Sequence, residues 1–177
     1  MPTQQDLEAA PTLSIVENGP QRFEGRKLGI LVTDGTDAAI LKGLKAAMTK
    51  AGATFEIIAP RIGGAKASDG SLIEADQMIG GGPSVLYDAV ALLPSQAAVG
   101  DLVRESTARD FVADAFAHCK FIGYVSAAAP LFEKAGIAEA DFDEGIIPLA
   151  STKNVAGFVE SLGQLRVWDR EPKVKMK

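Results

Sequence analysis

Cysteine and histidine are almost absent from this 177-residue sequence, which contains one of each, Cys119 and His118. A single cysteine excludes an intrachain disulfide, so the chain has no need of an oxidising compartment. The two residues are adjacent, so their side chains point apart, and two ligands do not close a metal site. We therefore expect no metal site here and interpret Cys119 as a buried or half-buried thiol.

Long apolar runs and clusters of positive charge are also missing. No stretch approaches the ~20 apolar residues that cross a bilayer, and the polar residues 1–6 lack the basic and apolar parts of a secretory signal. The net charge is −5, and an acidic surface repels phosphate backbones. We expect cytoplasmic residence, with neither a membrane nor a nucleic acid as partner.

The first periodic region has the pattern of a βαβ unit. The apolar run Lys27–Val32 predicts a buried strand, and apolar residues at helical spacing predict a helix over Ala38–Ala51. Thr54–Ile58 predicts the next strand. A strand, a helix and a second strand within ~32 residues are typical of a parallel sheet.

The same alternation resumes after an interruption. Residues 61–84 are rich in turn residues, and Asp69-Gly70 favours a small β-hairpin there. Beyond it, the apolar pattern predicts three strands, at Ala89–Leu93, Phe121–Val125 and Gly145–Pro148, and two longer helices, over Arg104–His118 and Val155–Leu162.

The predicted fold is therefore α/β. It is a flavodoxin-like, doubly wound and mostly parallel sheet in a three-layer sandwich, with the small β-hairpin as an excursion. Residues 1–24 carry little periodicity and are interpreted as a linker or extended N-terminal arm. Residues 25–165 form the predicted domain, and residues 166–177 a basic C-terminal tail.

The carboxyl ends of the strands are the place to look for chemistry, because ligands of open α/β sheets bind there. Asp34 and Asp37 flank Gly35 at the end of the first predicted strand. Two carboxylates could act there as acid and base or hold a cation. Aspartate at a helix start also caps free N–H groups, which is the interpretation we favour.

Ser126 follows the strand Phe121–Val125 and precedes a helix, which is where a nucleophile elbow would lie. A serine hydroxyl reacts only when a base takes its proton and donors stabilise the oxyanion. The sole histidine, His118, precedes the same strand and should lie at the opposite rim of the sheet, about 17 Å away for a five-residue strand. Ser126 is therefore interpreted as a small residue in a tight turn.

Several segments together resemble a known family. They follow one another in a distinctive order: Ala10-Pro11-Thr12-Leu13-Ser14-Ile15-Val16, Gly25-Arg26-Lys27-Leu28-Gly29-Ile30-Leu31-Val32, Asp34-Gly35, Ile58-Ala59-Pro60, Ser68-Asp69-Gly70, Pro83-Ser84-Val85-Leu86-Tyr87-Asp88-Ala89-Val90 and Lys120-Phe121-Ile122-Gly123-Tyr124. In these segments the chain resembles the C-terminal domain of large-subunit catalases. That domain is similar to the class I glutamine amidotransferase-like superfamily, which includes PfpI-type proteases.

The resemblance carries expectations about the site. Active superfamily members place a cysteine at the elbow, often followed by histidine, with a glutamate near the end of the first strand. Here Ser126 and Ala127 stand at the first two positions, and the first loop offers only Asp34 and Asp37. A catalase haem needs an axial tyrosinate. The two tyrosines, Tyr87 and Tyr124, lack the family's surrounding haem site, so the resemblance implies haem in a separate catalase core and no cofactor in this chain.

The resemblance implies a non-catalytic accessory domain of a haem catalase that dismutates hydrogen peroxide. Its implied partners are the catalase core domain and the sister subunits of a homotetramer. Two alternatives remain. One is a PfpI-like hydrolase or glyoxalase-type enzyme that uses Ser126 or Cys119. The other is a chaperone-like module that binds unfolded client proteins through exposed apolar area.

Overall fold

Six strands form one parallel sheet in the computed structural model, which describes residues 6–8 and 10–175. The eight strands of the described chain are β1 (Lys27–Val32), β2 (Thr54–Ala59), β3 (Ala65–Lys66), β4 (Leu72–Ile73), β5 (Gln77–Met78), β6 (Ala89–Leu93), β7 (Ile122–Tyr124) and β8 (Ile146–Pro148). The order in the sheet is β5-β2-β1-β6-β7-β8, and every pairing in it is parallel. Strands β3 and β4 pair antiparallel outside it, which confirms the predicted hairpin.

Seven α-helices occur within the described residues. They are α1 (Ile15–Asn18), α2 (Ala38–Lys50), α3 (Val99–Leu102), α4 (Ser106–Ala117), α5 (Ala129–Lys134), α6 (Thr152–Ser161) and α7 (Glu171–Lys175). Their positions confirm the long predicted helices to within a few residues at each end.

Alternate residues of the central strands pack into two separate apolar layers. Leu28, Ile30 and Val32 of β1 face one cluster, which includes residues of α2 and α6. Leu31 faces the other, with residues of α4 and α5. Because successive side chains of a strand point to opposite faces, a strand apolar throughout must be covered on both sides. The predicted three-layer α/β sandwich is confirmed.

The lack of a side chain at Gly29 in β1 leaves room for the ring of Tyr87 against the strand. A Cβ atom at Gly29 would overlap the ring of Tyr87, which is 2% exposed. The Tyr87 hydroxyl donates a hydrogen bond to Glu56 Oε2 at 2.9 Å, and Glu56 in turn pairs with Lys27. Glycine at this position lets Tyr87 lie directly on the strand and fixes its hydroxyl against a neighbouring strand.

Residues 10–22 of the N-terminal arm lie at the surface, with short helices at Pro11–Leu13 and α1. Its side chains Leu13, Ile15 and Val16 are exposed. At the other end of the chain, Arg170 is fully buried and pairs with Asp143. The domain limits at residues 24 and 165 stay a prediction, and residues 1–5, 9, 176 and 177 of the predicted arm and tail lie outside the described residues.

None of the helices in the described part of the chain is long and apolar enough to cross a membrane. Cytoplasmic residence stays a prediction.

Candidate functional site

The loops that follow β1 and β6 meet at the carboxyl edge of the sheet and are joined by hydroxyl groups. The register pairs Val32 with Leu93, so both strands end at the same level. The Thr36 hydroxyl accepts from the Thr33 amide at 3.0 Å and donates to the Leu93 carbonyl at 2.7 Å. The Ser95 amide donates to the Thr33 hydroxyl at 2.9 Å. These polar groups hold the two loops together.

Asp34 links the first loop to the hairpin. Its Oδ1 accepts from the Lys66 amide at 2.8 Å, and its carbonyl accepts from the Ser95 hydroxyl at 2.6 Å. Its Oδ2 lies 3.7 Å from Arg61 Nη2, in a pair whose side chains are both exposed. The carboxylate therefore satisfies a backbone N–H group of the hairpin, a structural use of an acidic side chain.

Asp37 caps the helix that follows. Its Oδ1 accepts from the Ile40 amide at 2.9 Å, and its backbone is extended, as at an N-cap. The capping role predicted for Asp37 is confirmed. The structure brings Asp34 and Asp37 to the same loop, where each is engaged by main-chain donors.

Ser126 starts a short 3-10 helix, Ser126–Ala128, directly after β7, and its side chain is exposed. The strand-to-helix turn was predicted, but the strained backbone of a nucleophile elbow is not there. Among the described non-glycine residues, positive φ angles occur at Cys119 and Leu165 only. Within residues 6–8 and 10–175 no hydrogen-bond partner of the Ser126 hydroxyl is found. The geometry provides Ser126 with no base.

His118 and Cys119 lie at the opposite end of β7 from Ser126. His118 is the C-cap of α4, and its Nδ1 lies 2.7 Å from the Asp114 carbonyl. Cys119 is buried, as expected, and burial raises the pKa of its thiol. A raised pKa leaves less thiolate, the reactive form, at neutral pH. No group of three or more potential metal-ligating side chains occurs in the described part of the chain.

The cavity at this edge is small. Its volume is about 210 Å³, and it is lined by residues of the first loop, the hairpin and α3, including Asp34, Arg61 and Asp101. Ligand pockets usually begin at roughly 300 Å³. Ser126 is not among the residues that line this cavity, so the structure does not bring Ser126 and the two aspartates into one pocket.

A buried lysine that was not among the predicted site residues lies at the amino edge of the sheet. Lys120 is 3% exposed, and its Nζ donates to the carbonyls of Ser84 and Tyr87, both at 2.6 Å. Burial, with a smaller effect from Arg166, lowers the pKa of Lys120 to about 8. The signal was a lysine between Cys119 and the apolar strand residue Phe121, in a segment with the pattern of a core strand.

Solved structures of DJ-1-type proteins share this fold. DJ-1 from Toxoplasma gondii, in its oxidised form, superposes with a TM-score of 0.66 at 13% identity, over 86% of this chain and 97% of that one. A ThiJ/PfpI family protein from Pseudomonas syringae gives a TM-score of 0.64 at 17% identity, over 98% of this chain and 82% of that one. By fold, the chain is a flavodoxin-like α/β domain of the DJ-1/PfpI type.

The chain belongs to the family of C-terminal domains found in long catalases, whose model matches residues 24–172. It is 62% identical to Catalase C from Rhizobium meliloti (strain 1021) over 175 residues, which cover 99% of this chain and 25% of that protein. Identity to Catalase HPII from Mycobacterium avium is 31% over 180 residues, 94% of this chain and 26% of that protein. The resemblance inferred from the sequence is confirmed. The chain spans about a quarter of the length of these relatives.

Proposed function

We propose that this chain is a non-catalytic domain of a haem catalase, where it packs on the catalase core and stabilises a homotetramer. The observation that carries the proposal is the 62% identity to a quarter of Catalase C. Dismutation of hydrogen peroxide would then belong to the rest of such a protein. The arrangement at the carboxyl edge supports the non-catalytic part, because Asp34 and Asp37 are engaged by main-chain donors there.

The tyrosines of this chain do not fit a haem. Burial, together with the hydrogen bond to Glu56, raises the pKa of Tyr87 above its ordinary value, whereas an axial ligand must be a tyrosinate. Tyr124 packs edge-on against Phe132 and Phe142, with ring centroids 5.2 and 5.8 Å apart. We therefore assign the haem to the catalase core and derive no chemical step through it here.

A protective, chaperone-like role is the second proposal. The favouring observation is apolar exposure at two places, in the arm at Ile15 and Val16 and in the turn at Val85 and Leu86, each more than half exposed. Exposed apolar patches mark interaction sites. Suppression of the aggregation of a heated client protein by the purified chain would support this role, and unchanged aggregation would count against it.

The experiment for the main proposal uses a chimera in which this chain replaces the matching quarter of Catalase C. Its controls are the same Catalase C without that quarter and the purified 177-residue chain. We expect equal peroxide dismutation per haem in the chimera and the truncated protein before heating, and slower heat inactivation of the chimera. A haem absorption band or peroxide turnover in the purified chain, or equal inactivation of chimera and truncated protein, would contradict the proposal.

The alternative of a hydrolase or glyoxalase-type enzyme is tested on the same purified chain. Methylglyoxal and peptide substrates are offered to the unsubstituted chain and to Ser126→Ala and Cys119→Ala. Turnover that either substitution abolishes would establish an enzyme and overturn the non-catalytic proposal.

A further inference from the structure

A groove of about 960 Å³ separates the N-terminal arm from the segment that follows α6. We call it the arm groove. Its lining comes from arm residues 12–16 and 18–21, from Arg26, and from residues 164–166 and Trp168. It is larger than the cavity at the carboxyl edge, and most of its lining comes from the predicted linker and tail.

Part of the arm groove is lined by exposed apolar side chains on short helices. Leu13, Ile15 and Val16 are 81%, 68% and 56% exposed. Helix α1 has four residues, too few to be stable without packing. Leu13 ends the preceding 3-10 helix, and Ile15 and Val16 lie on α1. Three exposed aliphatic side chains on two such short helices are costly in water, and an apolar partner would remove that cost.

The arm groove also carries positive charge. The charged residues in the lining are Arg26 and Arg166, in a chain whose net charge is −5. Both guanidinium groups reach Asp88: Arg26 Nη1 lies 3.1 Å from its Oδ1, and Arg166 Nη1 donates to its carbonyl at 2.9 Å. One carboxylate for two guanidinium groups leaves one positive charge in excess. No partner is found among the described residues for Nε and Nη2 of Arg166.

The backbone beside Arg166 is strained. Leu165 has φ 68° and ψ −44°, and the Arg166 amide donates to the Gln164 carbonyl at 2.8 Å, which makes a tight γ-turn. A branched side chain rarely adopts positive φ, and such strain is concentrated at binding sites. The turn places Leu165, Arg166 and Trp168 in one wall. Tryptophan and arginine are the residue types that dominate protein–protein binding energy.

We propose that the arm groove is the docking site for the catalase core of the same protein, through a surface segment that combines an apolar side chain with a carboxylate. The apolar side chain would pack on Ile15 and Val16, and the carboxylate would pair with Arg166. This inference rests on the proposed function. Its occupant follows from length, because the relatives are about four times as long and this family is their C-terminal domain. Their remaining chain would enter next to Thr12, the first residue of the groove lining in sequence.

Hydrogen exchange of the chimera, compared with the purified chain, locates the docking face. We expect the amides of residues 12–21 and 164–168 to exchange at least about tenfold more slowly in the chimera than in the purified chain. This slowing corresponds to at least 1.4 kcal/mol of added protection. Protection of other segments, such as residues 78–86, with the groove unchanged would overturn this inference and keep the proposed function. Protection nowhere would overturn both.

Two substitutions in the chimera test the apolar wall. Ile15→Glu places a negative charge against the apolar side chain and the carboxylate of the proposed partner segment, which should weaken docking. The control Ile62→Glu makes the same change at a residue of similar exposure, 66%, outside the groove. We expect Ile15→Glu to remove the slower heat inactivation and the protection of the groove, and Ile62→Glu to leave both. Equal effects of the two substitutions, or no effect of Ile15→Glu, would overturn the proposal.

The charge is tested by chemical cross-linking. Arg166→Lys introduces an amine that a carbodiimide joins to a nearby carboxylate. In the chimera with Arg166→Lys, we expect a cross-link from position 166 to an aspartate or glutamate of the catalase core. The control is the chimera with both Ile15→Glu and Arg166→Lys, in which we expect no such cross-link. Folding of the variant is checked by unchanged circular dichroism. A folded variant without this cross-link would contradict the carboxylate partner.

Discussion

Arg170 is fully buried and binds both carboxylate oxygens of Asp143, with Nε to Oδ2 at 2.7 Å and Nη2 to Oδ1 at 2.6 Å. Its Nη1 donates to the Lys120 carbonyl at 2.8 Å, and its guanidinium lies over the Phe116 ring at 4.6 Å. This one side chain therefore joins the end of the chain to α4 and to the start of β7. Val167 and Arg170, both in the segment predicted as a tail, are buried.

Asp143→Asn should destabilise the chain by about 3–5 kcal/mol, because it leaves the Arg170 charge buried without its counter-charge. Urea unfolding followed by circular dichroism measures the free energy. The control is Asp101→Asn, in an exposed pair with Arg104 at 3.6 Å, which should change the free energy of unfolding little. Equal effects of the two substitutions would show that the buried pair contributes no more to the free energy of unfolding than the exposed pair.

Lys120 should make the free energy of unfolding rise with pH between about 8 and its ordinary pKa of 10.5. Burial lowers the pKa of Lys120 to about 8 in the folded chain. Between the two values the unfolded chain holds a proton that the folded chain has lost, so stability increases with pH, by at most about 1.4 kcal/mol per pH unit. Cys119 and Tyr87 titrate with the opposite sign, because their pKa values are raised.

The measurement is urea unfolding at a series of pH values for the unsubstituted chain and for Lys120→Met, whose difference isolates the lysine. A difference that stays constant from pH 8 to 10.5 would contradict the lowered pKa.

Gly29→Ala should destabilise the chain by about 1–3 kcal/mol, since the new methyl group overlaps the Tyr87 ring in a packed layer. The matched control is Gly157→Ala in α6, where a Cβ meets no atom within 4 Å. Alanine is the better helix former there and should stabilise the chain by about 0.5–1 kcal/mol. Thermal unfolding compares the two, and a Gly29→Ala chain as stable as the unsubstituted one would refute the close approach.

Asp37→Ala should cost about 0.5–2 kcal/mol through loss of the N-cap of α2, and Asp37→Asn should recover most of that stability. An asparagine keeps the cap but abolishes an acid–base carboxylate. Recovery of stability by Asp37→Asn therefore identifies capping, and a variant as unstable as Asp37→Ala would contradict it. Urea unfolding provides the comparison.

The elements that could be predicted are those with strong local signals. Strand β1 has no polar side chain after Lys27, and helix α2 has an aspartate cap and a single apolar face. The partners of the buried Arg170 and Lys120 could not be predicted, because Asp143 and the main-chain carbonyls lie far from them in sequence. A charged side chain is normally exposed, and only the fold brings such partners within reach.

In the candidate site, too, some features follow from local sequence patterns and others depend on residues far apart in the chain. The N-cap role of Asp37 follows from a local pattern, and the opposite positions of His118 and Ser126 follow from their places before and after one strand. The arm groove depends on contact between residues 12–21 and 164–168, nearly the whole chain apart. The positive φ of Leu165 could not be predicted either, because leucine gives no local signal for that conformation.

The most direct test of the central claim is the temperature at which the proposed tetramer dissociates. It is followed by light scattering during heating of the chimera and of Catalase C without its matching quarter. The account predicts a higher dissociation temperature for the chimera, with equal dismutation per haem at the start. Dissociation of both proteins at the same temperature would contradict a stabilising domain.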